Sequence, residues 1–337
     1  VTTSVQVSVI RGWDVVTLRS DSIAVQVLPG KGGDILSVKR RADDLEFLWQ
    51  SPWGLRERGA FGAAYESEGH LMEAYAGGWQ TVFPNGGDLV DVYGTTWGMH
   101  GEVWLTPFDW EILDDATIRM TCTLVHSPFD LIKSITVTDT TVTVTETITN
   151  TGGVAVDTMW SHHPAFGPPF LSKDTQIISS SRQVRVEERT LEGTTDLRPG
   201  AEAFWPLTPS LLDGVITDLS RLPAPDAAIN RMAYLDDFDT AEITLLNPSL
   251  DASATLTWTT ELFPYAWYWF EGRSIRTAPW FRRIYALGIE PASSIPGNGL
   301  LAARDAGTTI EFAPGETKTV TVSLTICNPG GSGTMSP

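Results

Sequence analysis

The stretch Lys133–Asn150, KSITVTDTTVTVTETITN, decides the fold. Val, Ile and Thr alternate through it with a period of two, the spacing that sends successive side chains to opposite faces of a strand. These β-branched residues suit a pleated, half-buried surface. The alternation breaks around Asp139–Thr141, so the segment reads as a hairpin turning there. Its second arm runs on to Trp160–Phe170, WSHHPAFGPPF, where two of the five histidines stand side by side before a proline-rich turn. Neighbouring strand residues point to opposite faces, so one of His162 and His163 at most faces a given site. Taken alone, the pair reads equally as a structural turn or as a site.

Working outward, the same alternation recurs in SVQVSVI (4–10), SIAVQVLP (22–29), ATIRMTCTLV (116–125), AEITLLNP (241–248), SATLTWTTE (253–261), TTIEFAPG (308–315) and KTVTVSLTI (318–326). Gly, Pro, Asn or Asp punctuates these runs. Helical patterns are scarce: SEGHLMEAY (67–75) predicts two turns and Leu207–Gly214 one. No Ser/Gly-rich linker divides the chain, and no repeat of solenoid or propeller length occurs. The pattern predicts an all-β fold, a single large sandwich of antiparallel strands with few short helices, over residues 1–327. The NPGGSGTMSP segment, 328–337, reads as a flexible tail.

With 42% hydrophobic residues in 337, the chain can bury a sizeable core. A net charge of −18, spread without an acidic tail, favours solubility and argues against nucleic acid or an anionic membrane as partner. No apolar run reaches membrane-spanning length. The segment VTTSVQVSVIRGWD lacks the pattern of a signal peptide, which points to the cytoplasm; the start at Val1 leaves secretion open. Cys122 and Cys327, the only cysteines, make no metal-ligand set, and a disulfide between them stays open. Thirteen tryptophans suit either a large β core or stacking against the C–H faces of sugars.

Three further segments are aromatic, punctuated by Gly or Pro, and carry ionisable or amide groups. Gly77–Asp88, GGWQTVFPNGGD, offers Trp79, Gln80 and Asn85. Trp97–Trp104, WGMHGEVW, sets His100 before Gly101 in a turn, where a solvent-exposed loop histidine is the plain alternative. Phe263–Pro291 holds two strand-like runs ending in Glu271 and Glu290. Glu271 reads as a hairpin acid. Glu290 closes an apolar strand, and a carboxylate there must be paired, hydrogen-bonded or functional, because unpaired burial is costly. Asp236, Asp237 and Asp239 in YLDDFD lack EF-hand spacing and read as a turn with one substrate-contacting acid. Arg273, Arg276, Arg282 and Arg283 read as a solvated cluster or as an anion holder. GKGGD (30–34) is too short for a P-loop, and GxSxG, HExxH and CxxC are absent.

In order along the chain, these segments resemble the galactose mutarotase-like proteins, the aldose 1-epimerases and their relatives, from about residue 15 to 326. Met99-His100-Gly101 resembles the first histidine motif of that family, and His163-Pro164-Ala165-Phe166 the second. Phe263-Pro264-Tyr265 with Trp267–Glu271 is similar to its aromatic strand, and Ala286–Pro291 to the strand carrying the catalytic acid. The resemblance implies a β-supersandwich and a carbohydrate 1-epimerase acting on a free reducing sugar. In it Glu290 is the base on the anomeric hydroxyl, His163 the acid on the ring oxygen, and His100 an orienting group. Trp79, Gln80, Asn85, Trp160, His162, Asp237, Trp269, Glu271 and Arg273 are the candidate substrate contacts. Neither metal nor organic cofactor is implied, and the chain is expected as a monomer or homodimer. Gly86 follows Asn85 where the family often carries a sugar-contacting arginine, so Arg56, Arg58 or Arg273 is the expected substitute. A sugar-binding protein without turnover, and a lyase or hydrolase on the same fold, are the alternatives. Hydrolysis would need two carboxylates such as Glu271 and Glu290 about 5–10 Å apart.

Overall fold

A computed structural model describes residues 1–328 apart from Phe61, Ala63, Tyr65 and Thr190; the expected tail, beyond Asn328, lies outside the described residues. Strand accounts for 51% of the described residues and helix for 7%, an all-β fold as the alternation predicts. Ser67–Ala74 forms the expected helix. Leu207–Pro209 is instead a short strand paired with Ile216–Asp218.

The hairpin that sets the pattern pairs Phe129–Thr138 with Thr141–Asn150 in unbroken register. Val142, Val144, Glu146 and Ile148 of its second arm point inward. The intervening Thr141, Thr143, Thr145, Thr147 and Thr149 meet Thr325, Ser323, Thr321, Thr319 and Thr317 on the strand Thr317–Cys327. Five hydroxyl pairs at 2.8–3.2 Å line that seam. Cross-strand pairs of this kind fix register as well as adding stability.

The other layer runs Trp79–Val82, Ser161–Phe166, Tyr285–Ala292, Tyr265–Gly272 and then Ile229–Asn247, each antiparallel to the next. Ile229–Asn247 is 19 residues long. Its first part pairs with Tyr265–Gly272 and its last with Ala252–Trp258, so it passes from one layer to the other. YLDDFD, expected as a turn, lies in the middle of this strand. Asp237 adopts a φ of +54°, and pairing with Gln176–Val186 shifts between Ser179 and Ser181. Between these pairs Asp239–Glu242 stand opposite the single Ser180, an irregularity that the strand carries without ending.

His162 and Thr81 are cross-strand partners on the face that packs against the hairpin. Glu146 lies buried between the layers and collects their polar atoms. Thr81 donates to it, Trp160 Nε1 donates at 3.1 Å, His162 Nε2 lies at 3.4 Å and Lys133 Nζ at 3.3 Å. Trp79 Nε1 donates to His162 Nδ1 at 3.0 Å, which leaves the imidazole proton on Nε2, toward Glu146. Burial works against the charge on Glu146, but His162 and Lys133 outweigh it and hold the carboxyl well below the usual range. No helix among the described residues is long and apolar enough to cross a membrane. Cys122 and Cys327 are both free thiols.

Removing one partner of a buried ion pair strands the other. Lys133→Met should therefore cost about 3–5 kcal/mol in urea unfolding, and adding Glu146→Gln should recover part of it. A loss under about 1 kcal/mol would remove Lys133 from this anchoring role.

Candidate active site

The opposite face of the same strand carries His163. Ser161 pairs with Ala292 and Ala165 with Gly288, a register that sets His163 across from Glu290. Nε2 of His163 lies 3.5 Å from Oε1 of Glu290. Both side chains are buried, 5% and 2% exposed, yet His163 Nδ1 and Glu290 Oε2 have no hydrogen-bond partner among the described residues. Burial alone pushes the Glu290 carboxyl well above its usual range. It lowers the His163 imidazole to about 4. Gly288 makes room for the acid: a Cβ there would stand 2.6 Å from Glu290 Oε1.

His100 joins them from a turn and has a φ of +58°, uncommon for a residue with a side chain and frequent where function holds strain. Its backbone N–H donates to Gly87 O at 2.9 Å, and Gly87 N–H donates back to His100 Nδ1 at 3.1 Å. That bond keeps Nδ1 an acceptor, so Nε2 carries the proton of the neutral ring. Gly87 itself must be glycine: its φ is +76°, and a Cβ would lie 1.7 Å from Gly297 O. The His100 ring stacks on Trp104 at 5.1 Å and lies 5.6 Å from His163. Burial, then His163, lowers the His100 pKa to about 3.

These three groups line a cavity of about 260 Å³. Tyr75, Trp104, Trp269 and Trp280 form its aromatic side. Tyr75 stands edge-on to His163 at 5.7 Å, and its hydroxyl has no partner among the described residues although the residue is 3% exposed. Burial, then Glu290 and Asp34, pushes that phenol well above its usual value, so it remains a donor. The facing wall is polar. Tyr234 donates to Glu187, Asn298 Nδ2 donates to Glu187 Oε1 at 3.0 Å, and Gly297 N–H donates to the Tyr234 hydroxyl at 2.8 Å. Asp88 and Arg189 pair at the mouth. Among the described residues no three His, Cys, Asp or Glu side chains are grouped to hold a metal.

Of the residues expected from sequence, His100, His163, Glu290 and Trp269 therefore share one cavity. The others do not reach it. Trp160 and His162 face the interior between the layers, and Trp79 is turned to His162, because alternation sends them to the face opposite His163. Gln80 lies across from His163 but is fully buried, its Nε2 donating to Gly77 O at 2.7 Å and to Asp34 Oδ2 at 3.4 Å. Asn85 braces three backbone segments, donating to Asp88 O and Gly98 O and accepting from Leu300 N. Glu271 accepts from the N–H groups of Ser274 and Ile275 and so anchors the loop that brings Ile275 and Trp280 over the cavity. It is not presented to the cavity beside Glu290, so the carboxylate pair of a hydrolase is not formed by these two. Asp237 is exposed and bound to Arg182. Arg273 is exposed at a positive φ, Arg58 covers Trp13, and Arg56 lines a separate hollow.

The arginine at the cavity is Arg189, which the sequence reading missed together with Tyr75, Glu187, Tyr234 and Asn298. Tyr75 closes the predicted helix, and Trp104 and Trp280 lie inside quoted aromatic segments, so part of the signal was present. Glu187 and Arg189 follow an ordinary alternating strand and carry no local mark.

Solved structures place this fold. A galactose mutarotase-like protein from Clostridium acetobutylicum superposes with a TM-score of 0.66 at 14% identity, over 96% of this chain and 98% of its own. A galactose mutarotase related enzyme from Lactobacillus acidophilus gives 0.64 at 16% identity, over 94% and 98%. A galactose mutarotase-like protein from Lactobacillus casei gives 0.61 at 17%, over 93% and 100%. The fold is thus that of the galactose mutarotase-like proteins. By sequence the chain belongs to the family described as Domain of unknown function (DUF4432), which it matches over residues 10–326. No curated protein gives a significant sequence match.

An unpaired buried carboxyl costs stability once it must ionise. Folding holds the Glu290 proton that the unfolded chain releases, so its contribution falls as pH rises above the usual carboxylate range. Glu290→Gln should raise the melting temperature at pH 7, with an advantage over wild type that shrinks toward acid pH. Tyr75→Phe removes an unpartnered hydroxyl and should leave stability unchanged or raise it by up to about 1 kcal/mol. Thermal melts of both variants across pH check this; a lowered melting temperature in either would mean that its polar atom is already satisfied.

Proposed function

We propose that the protein is a carbohydrate 1-epimerase that interconverts the α and β anomers of a free reducing sugar. One observation carries this reading: His163 and Glu290 face each other at 3.5 Å across adjacent strands, each with a second polar atom unpartnered and turned to one cavity. Ring opening needs a base at the anomeric hydroxyl and an acid at the ring oxygen, acting together. The Glu290 carboxylate takes the hydroxyl proton as C1=O forms. The bond from C1 to the ring oxygen breaks, and that oxygen takes the proton of the His163 imidazolium. The pair is then neutral, and rotation about C1–C2 followed by the reverse transfers closes the other anomer.

Burial disfavours both ions of the starting pair, while their proximity lets each ion stabilise the other. Burial favours the neutral arrangement, Glu290 carboxyl with His163 imidazole. The reactive ion pair therefore forms by passing the Glu290 proton to His163 Nε2, and the two arrangements carry the same net charge. The Nε2–H of His100 serves to orient the sugar and polarise its ring oxygen, with the Tyr75 hydroxyl as a second donor. Trp104 and Trp269 supply apolar faces for the C–H side of a pyranose. The galactose mutarotase-like proteins of the same fold support this reading.

Glu290→Gln and His163→Ala should each slow anomer exchange by about 10²–10⁴-fold while remaining folded. His100→Ala should act mainly through KM. NMR exchange spectroscopy over a panel of aldoses reads all three. Near-normal exchange in either of the first two variants sinks the assignment. Sugar binding by the wild type without faster exchange would mark a binding protein instead.

A further inference from the structure

The cavity described above is built with a marked imbalance of charge. Glu68, Asp88, Glu187, Glu192 and Glu290 line it, and Arg189 is the one arginine or lysine among the described residues that does so. That arginine is already committed. Its two terminal nitrogens engage the two carboxylate oxygens of Asp88, one of them at 3.4 Å, so the fork that would grip a phosphate or carboxylate is occupied. Arg189 also acts on Glu68 and Glu187, but no second arginine or lysine lines the cavity among the described residues. Glu187 is held by the neutral donors Tyr234 and Asn298, and Glu192 by the Thr277 hydroxyl. At Glu68 burial is the first cause in keeping the carboxyl above its usual value; Glu66, Asp88 and Glu192 add to it while Arg189 opposes it, so carboxylates outnumber the one cation at this mouth. Deeper in, the buried and unpartnered atoms of Tyr75, His163 and Glu290 mark the same space as one that receives a polar ligand.

We propose that the Asp88–Arg189 pair is a specificity-determining latch that sets this cavity against sugars bearing a negative group, so that its substrate is an uncharged aldose and an amino-substituted one is tolerated. The inference rests on the carbohydrate reading above. It also explains why an arginine at the rim need not signal an anionic substrate. Like charges about 4 Å apart oppose each other by roughly 1 kcal/mol in water and more where the protein excludes water. A phosphate, sulfonate or uronate carboxylate brought to this mouth meets several such neighbours and, among the described lining residues, no arginine or lysine but the Asp88-bound Arg189.

The test compares glucose, galactose and mannose with their 6-phosphates and 2-amino counterparts by NMR anomer exchange. At low ionic strength each phosphate should exchange at least tenfold more slowly than its parent, and the gap should narrow as salt rises to about 0.5 M. The amino sugars should show the opposite salt trend. Asp88→Asn releases Arg189 and should cut the penalty on the phosphates relative to their parents. Phosphates that exchange as fast as their parents would overturn the proposal, as would a penalty indifferent to both salt and Asp88→Asn. Calorimetric binding of 1,5-anhydroglucitol and its 6-phosphate, which cannot ring-open, separates this proposal from the catalytic one. If no sugar exchanges faster with the protein, the epimerase reading fails. The charge proposal then stands on tighter binding of the uncharged analogue and falls if the phosphate binds equally well.

Discussion

The two-residue period of one short strand, Ser161–Phe166, governs the molecule. It allows no side chain to serve both faces, so His162 and His163 are separated into two environments by backbone geometry alone. His162 is gripped from the interior by Trp79 and set against Glu146. That anchorage locks the strand between Trp79–Val82 and Tyr285–Ala292, and the register then leaves His163 no choice of neighbour but Glu290. A slip of one residue would exchange the two histidines and dismantle both arrangements.

The two faces also make a natural comparison, because each holds a buried histidine and glutamate at nearly the same separation, 3.4 Å and 3.5 Å. Their electrostatic fates are opposite. Glu146 is surrounded by donors from Thr81, Trp160 and Lys133 and stays ionised in spite of burial. Glu290 has no such company, and desolvation drives it toward its acid form. Distance between partners therefore says little about what a carboxylate–imidazole pair does. The completed shell around Glu146 makes a support, and the uncompleted one around Glu290 makes a group able to give and take a proton.

Much of this was legible in the chain. Thr/Val alternation identified the hairpin and the all-β class because a half-buried strand writes its two faces directly into sequence. Alternation also separated His163 from His162, and the apolar run before Glu290 marked it as a carboxylate needing a reason. What sequence could not convey was which strands become neighbours. Trp79 and Trp160 look like sugar platforms in isolation, yet both are turned inward by their place in the register. YLDDFD has the composition of a turn, but the strand on either side carries it through without ending. Arg189 was invisible for the same reason: its role depends on Asp88, a hundred positions away in the chain, and no local pattern announces a contact of that range.

The threonine seam has a bearing on how the protein comes into being. Thr317–Cys327 lies between Thr141–Asn150 and Ala252–Trp258, bonded to both. Until a ribosome has made this strand, the two it joins each present an unpaired edge, the exposure that favours unwanted association. During synthesis Thr141–Asn150 waits until Thr317–Cys327 has been made. Its outward row of hydroxyls, in place of the larger apolar groups that strand preference alone would permit, keeps that waiting edge hydrated and poorly suited to sticking.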